Sequence, residues 1–162
     1  MSRIIFKQTA PPSLISKMLG LGFIFALLGL FFYSYFYTHA ILSIQGEKFD
    51  ARIADTNTRR MRGLSGTSAL GKNEAMLFVF NTPSQESFWM KDMNYALDII
   101  WLRDKKIIDI AARVSPGAQK NDSELPLYTP RLPADQVVEV IAGTVDRLNL
   151  KIGDTILVEK NN

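Results

Sequence analysis

Residues 87–102 read Ser-Phe-Trp-Met-Lys-Asp-Met-Asn-Tyr-Ala-Leu-Asp-Ile-Ile-Trp-Leu. Asp98 stands inside an apolar run that is otherwise suited to full burial. An unpaired carboxylate there costs several kcal/mol on the scale of about 2–7 for a polar group. Something in the fold must therefore satisfy it. As a strand, Leu97–Leu102 places Ala96, Asp98, Ile100 and Leu102 on one face and Leu97, Ile99 and Trp101 on the other. Both faces are apolar, which predicts a central strand.

The flanking sequence extends this pattern. Phe49–Ala54 alternates as a half-buried strand, and Ala75–Phe80 is a continuous apolar run. Strands are also expected at Ser87–Met90, from Lys105 or Lys106 to about Ala112, at Val137–Ile141 and at Thr155–Glu159. Asp55-Thr56-Asn57-Thr58 offers helix N-caps, Arg59-Arg60-Met61-Arg62 fills a short helix, and Gly63 ends it. A second short helix follows Gly143-Thr144 and reaches Leu150. Asn81–Ser84 reads as a turn. The segment 113–136 holds four of the seven prolines and reads as a long irregular connection. The expected fold is α+β, mainly β: a small barrel-like domain of six to seven short strands with two short helices, preceded by one transmembrane helix.

From Met18 to Gly46 there is no charged residue. The most apolar part, Met18–Tyr37, would span roughly 30 Å as a helix, one hydrocarbon thickness. Tyr33, Tyr35, Phe36 and Tyr37 crowd its C-terminal end like an interfacial belt. Arg3, Lys7 and Lys17 precede it, which favours a cytoplasmic N-terminus and an extracytoplasmic domain. The expected organisation is a basic tail at 1–17, a transmembrane helix at 18–37, a tether at 38–47 and a globular domain at 48–160. A cleaved signal peptide, with Thr38-His39-Ala40 as the cleavage region, is the competing reading. The expected location is the bacterial inner membrane, in a single pass, with the bilayer as a partner of residues 18–37.

The net charge of +3 resembles a nucleic-acid signal, yet its distribution removes it. With Arg3, Lys7 and Lys17 set aside, 16 of the 19 Lys and Arg face 16 Asp and Glu. A neutral domain lacks the electrostatic footprint for phosphate backbones, so no nucleic-acid partner is expected. The chain has no cysteine and one histidine, His39, beside the apolar run. Thiolate chemistry, Cys-based zinc sites and a Ser-His-Asp triad in the domain are thereby excluded. Asn121–Glu124 offers oxygen ligands but lacks the twelve-residue calcium-loop pattern. Neither metal nor cofactor is expected.

The motif order resembles the domain of unknown function 192 family. The resemblance rests on Arg62-Gly63-Leu64, Met76–Phe80, Phe88-Trp89-Met90-Lys91, Leu97–Ile100, Val140–Gly143 and Ile152-Gly153-Asp154. It covers roughly Lys48 to Glu159. Asp92-Met93, Ala96 and Ser65-Gly66-Thr67 depart from the family's usual residues. The resemblance implies a small β-rich domain, often exported or membrane-anchored, without an established activity.

Four residues are candidates for ligand binding: Arg62, Trp89, Lys91 and Asp98. Asp98 reads first as a structural anchor and second as part of a pocket with Arg62 and Lys91, and an Arg62–Asp98 contact is expected. Trp89 is either core or a ligand platform, and Lys91 with Asp92 either a solvated turn or part of a site. No catalytic residue is identified. The missing nucleophile motifs favour a binding module over an enzyme, its partner being a small molecule, an envelope polymer or a membrane protein. The rival is a carboxylate- or Lys-dependent hydrolase of envelope sugars or peptides. A binding groove is expected under the 113–136 segment. An enzyme would instead open a pocket beside Arg62 to Asp98, Asp92 or Lys91.

Overall fold

The computed structural model describes residues 14–35, 38–117 and 121–159, with the side chains of 17–30 in the first of these. The chain divides into two compact units, Met1–Phe36 and Tyr37–Asn162. In the first, a helix α1 runs from Leu14 to Tyr35. Its described side chains are exposed, among them Leu19, Phe23, Phe25 and Leu30. Among the described residues no helix is long and apolar enough to cross a membrane. The side chains of 17–30 fall short of the ~20 residues a crossing needs. Arg3, Lys7 and the aromatic side chains of 33–37 lie outside the described residues.

The second unit is a seven-stranded sheet. Its strands are β1 (Thr38–Ile44), β2 (Glu47–Ala54), β3 (Glu74–Ser84), β4 (Leu97–Arg103), β5 (Lys106–Val114), β6 (Ala134–Ile141) and β7 (Ile156–Glu159). Two short helices accompany them, α2 (Asn57–Arg62) and α3 (Thr144–Arg147). The order across the sheet is β5-β4-β6-β3-β2-β1-β7. The two edges meet: Lys106 bridges Thr155, and Ile107 and Ile156 donate to Asp154 and Lys105 carbonyls at 2.8 and 2.9 Å. The sheet is thus curled into a half-barrel, which limits the exposed edge that an open sheet presents.

The segment 38–47, expected as a tether, is strand β1 and the first turn. Thr38–Ile44 pairs antiparallel with β2, and Gln45-Gly46 make the turn, with φ of 48° and 80°. Two central residues with positive φ are what a tight hairpin requires. Ser87–Met90, expected as a strand, forms only one bridge, between Phe88 and Tyr128. β3 continues through Pro83 where a turn was expected, and its pairing with β6 shifts register between Val79 and Ser84. The 113–136 segment contributes the ends of β5 and β6 and a short 3-10 turn at Asp122–Glu124.

β2 and β3 are parallel neighbours, with Asp50 opposite Glu74. A parallel pair cannot be joined by a tight turn, so residues 55–73 must cross over the sheet. α2 lies within this crossover. The two faces of the sheet consequently carry separate cores. Leu42, Phe49, Leu77, Ile100, Val138 and Ile156 pack in the barrel interior. Met76, Phe78, Met90, Leu97, Ile99 and Trp101 pack on the outer face, beneath the crossover and the 88–95 segment.

Candidate functional site

α2 is short and held by its ends. Thr56 Oγ1 accepts the Arg59 amide at 3.3 Å, and Gly63 closes the helix with φ of 50°. A positive φ at this position favours glycine. The helix then fixes Arg60. The Arg60 guanidinium donates to the Asp55 carbonyl at 2.9 Å, the Val79 carbonyl at 2.7 Å and Asn57 Oδ1 at 2.6 Å. It also lies 5.4 Å over the Phe80 ring.

The 64–67 loop is fastened to the 91–95 loop. Ser65 Oγ donates to the Lys91 carbonyl at 3.0 Å, and the Gly66 amide to the Asp92 carbonyl at 2.9 Å. Thr67 and Tyr95 hydroxyls lie 2.7 Å apart. Phe88 is held by paired backbone bonds to Tyr128 at 2.8 and 2.9 Å, and its ring meets Phe78 edge-on at 4.9 Å.

Between α2, this loop pair and the outer face of the sheet is an open cavity of about 540 Å³. Its wall is largely aromatic, from Phe78, Phe80, Phe88 and Trp89. Arg60, Arg62 and Glu86 supply charge to it. A further acid, Glu139, comes from the sheet itself. Glu139 sits mid-strand on β6, between Met76 of β3 and Ile99 of β4. It is 6% exposed, and among the described residues its carboxyl has no hydrogen-bond partner. Burial pushes its pKa up to about 8, so it holds its proton at pH 7.

The sequence candidates separate in space. Arg62 and Trp89 line the cavity together, with Trp89 45% exposed. Lys91 does not line it. Its ammonium pairs with Asp122 and lies 5.4 Å over the Trp89 ring, a surface clamp between two loops. The hydrogen bond it donates to Asp122 holds Lys91 above its ordinary pKa.

Asp98 lies on the opposite face of the sheet, fully buried, and the expected Arg62–Asp98 contact is absent. The reason is strand alternation: Leu97 reaches the cavity, so its neighbour points into the barrel. Asp98 accepts the Arg113 amide at 2.7 Å and the Val145 amide at 2.8 Å. The first belongs to a bulge, where Leu97 pairs with Val114 but Ile99 with Ala111. The second belongs to the first turn of α3. A groove was expected under the 113–136 segment; the cavity lies under α2, and its described lining includes no residue of 113–117 or 121–136.

Glu139 was the residue that sequence reasoning missed. Its signal is the one that flagged Asp98: a single acid within Val137-Val138-Glu139-Val140-Ile141, where every neighbour is apolar.

A half-barrel with an aromatic, acid-floored cavity on its outer face defines the class of this domain by shape and site. The family model of domain of unknown function 192, described as "Uncharacterized ACR", matches residues 40–158, and the chain belongs to that family. A UPF0127 protein of Thermococcus sibiricus is 31% identical over 107 residues, covering 65% of this chain and 63% of the relative. A second, from Thermococcus kodakarensis, is 30% identical over 108 residues, covering 65% and 62%. The chain thus spans under two thirds of these relatives' own length. Two solved structures share the fold. A Sinorhizobium meliloti protein described as a candidate transcription regulator superposes with a TM-score of 0.68 at 24% identity, covering 76% of this chain and 95% of its own. A Novosphingobium aromaticivorans protein of unknown function superposes with a TM-score of 0.63 at 26% identity, covering 75% and 84%.

Proposed function

We propose that this chain is a membrane-tethered binding module whose extracytoplasmic domain takes a small organic ligand into the cavity under α2. One observation carries the binding role: a cavity of about 540 Å³ lined by a buried carboxyl, Glu139, that makes no hydrogen bond among the described residues. Ligand sites are concave, mostly apolar and furnished with few polar groups, and a volume of this size is typical of them. The tether rests on sequence. Met18–Gly46 carries no charge, and Arg3, Lys7 and Lys17 precede it. The inner membrane of a bacterium, with the N-terminus inside, is the location this implies.

The test is thermal-shift screening of the full chain in mild detergent against cell-envelope metabolites. A ligand should raise the midpoint, and Glu139→Gln and Arg62→Ala should each abolish the rise. A rise kept in both variants would move the site elsewhere. Carbonate extraction and protease treatment of spheroplasts test the tether, with the chain expected in the membrane pellet and cleavable from outside.

Glu139 also favours a second reading, hydrolysis. A protonated buried carboxyl is suited to general acid work, and Glu86 lines the same cavity as a possible second acid. Turnover of a chromogenic glycoside or peptide, lost in Glu139→Gln, would establish it. Transcriptional regulation, the description given to the Sinorhizobium relative, finds no support in a charge-neutral domain.

A further inference from the structure

We propose that the cavity takes an amphoteric ligand: an ammonium at the inner end beside Glu139, an apolar spacer along the aromatic wall, and an acidic group at the mouth beside Arg60 and Arg62. This rests on the binding role argued above and specifies its chemistry.

The inner end sets the first requirement. Glu139 is 6% exposed, lines the cavity and has no hydrogen-bond partner among the described residues. A buried carboxyl left in this state is costly, and its strongest complement is a charged donor. The wall agrees, since aromatic faces attract cations that have shed their water. The outer end sets the second requirement. A bare cation would meet the fixed guanidinium of Arg60 on its way in. Arg60 has three of its five N–H groups engaged by protein acceptors. The guanidinium is held in place and keeps donors for an acidic group. An amine and an acid on one spacer satisfy both ends.

The arrangement makes binding dependent on pH. Among the described residues, the charged groups that line the cavity with Glu139 are Arg60 and Arg62 from α2 and Glu86 from the segment before Phe88. β3 and β4 face it with apolar residues, Phe78, Phe80 and Leu97. An arriving ammonium ionises Glu139, which otherwise keeps its proton to about pH 8, so one proton leaves on binding. Affinity then rises with pH by about tenfold per unit below pH 8.

The experiment is an NMR titration of the full chain in detergent micelles, following the Gly63 amide and the Trp89 indole. Three soluble probes are compared: 6-aminohexanoate, 6-hydroxyhexanoate, which lacks the ammonium, and 6-aminohexanamide, which lacks the acid. 6-Aminohexanoate should bind about tenfold more tightly than either, with affinity rising about tenfold from pH 6 to pH 7. Glu139→Gln should erase the preference for the amine and flatten the pH dependence. Equal binding of 6-hydroxyhexanoate, or a flat pH profile, would overturn the ligand class while leaving a binding cavity. No response to any probe at tens of millimolar would overturn both.

Discussion

The two faces of the sheet each bury one carboxyl, and they treat it in opposite ways. Inside the barrel, Asp98 is fully covered and accepts two backbone amides, at 2.7 and 2.8 Å. On the outer face, Glu139 is nearly as covered and makes no hydrogen bond among the described residues. The residues are close in the sheet, because Asp98 is registered with Val140 on the adjacent strand. One step along β6 changes the face and therefore the role. The Asp98 side finishes the structure, joining the bulge of β5 to the first turn of α3. The Glu139 side turns its carboxyl to a cavity. A fold stabilised elsewhere can tolerate the cost of its burial when the group serves a purpose.

The contrast can be tested by four measurements. The largest effect belongs to Asp98→Ala, which strands two buried amides and should lower stability by about 4 kcal/mol in urea unfolding. A loss under about 1 kcal/mol would mean that water replaces the carboxylate. Second, Glu139→Leu should raise stability at pH 8 by about 2 kcal/mol, since it removes a polar group without a partner. Destabilisation there would indicate a concealed partner for the acid.

The third measurement is the pH dependence of folding. Unfolded, the Glu139 acid ionises near 4.5, while in the fold it keeps its proton to about 8. Across that window the native state binds the extra proton, so stability falls by about 1.4 kcal/mol per pH unit as pH rises. The contribution is complete below 4.5 and lost above about 8. Glu139→Gln should remove this slope, and an unchanged slope would assign it to another group. The smallest effect is expected of Lys91→Ala. Unfolding midpoints should not move, while amide exchange should quicken in residues 87–93 and 121–124 as the loop clamp opens. An unaltered exchange pattern would show the clamp to be idle.

Much of the sheet was legible because buried strands announce themselves as apolar runs. Leu97–Leu102 and Val137–Ile141 fall within the observed β4 and β6. The short helix α2 was legible from Gly63 at its end and a run of N-cap candidates, Asp55–Thr58, of which Thr56 is the cap, and it starts at Asn57 rather than Arg59. β1 was not, since Thr38–Ile44 continues an uncharged stretch and its turn, Gln45-Gly46, is an uncommon pair. Ser87–Met90 has strand composition, but its backbone finds one partner, Tyr128, which lies 40 residues on in the chain. Pattern reading cannot supply such a partner. Half of the candidate site was legible in Arg62 and Trp89. Asp98 reads correctly as a buried structural anchor, held by the Arg113 and Val145 amides, while the expected partner Arg62 lies across the sheet. Strand alternation indicates that Leu97 and Asp98 diverge, but not which of the two faces carries a cavity.

The parallel pairing of β2 and β3 obliges residues 55–73 to pass over the sheet, and this passage roofs the cavity. Connectivity and recognition therefore share one segment. Of this crossover, Met61 is exposed and lies outside the barrel interior. Descendants of one scaffold could exchange their ligands by rewriting this crossover alone, while Asp98 and the strands beneath it stay as they are.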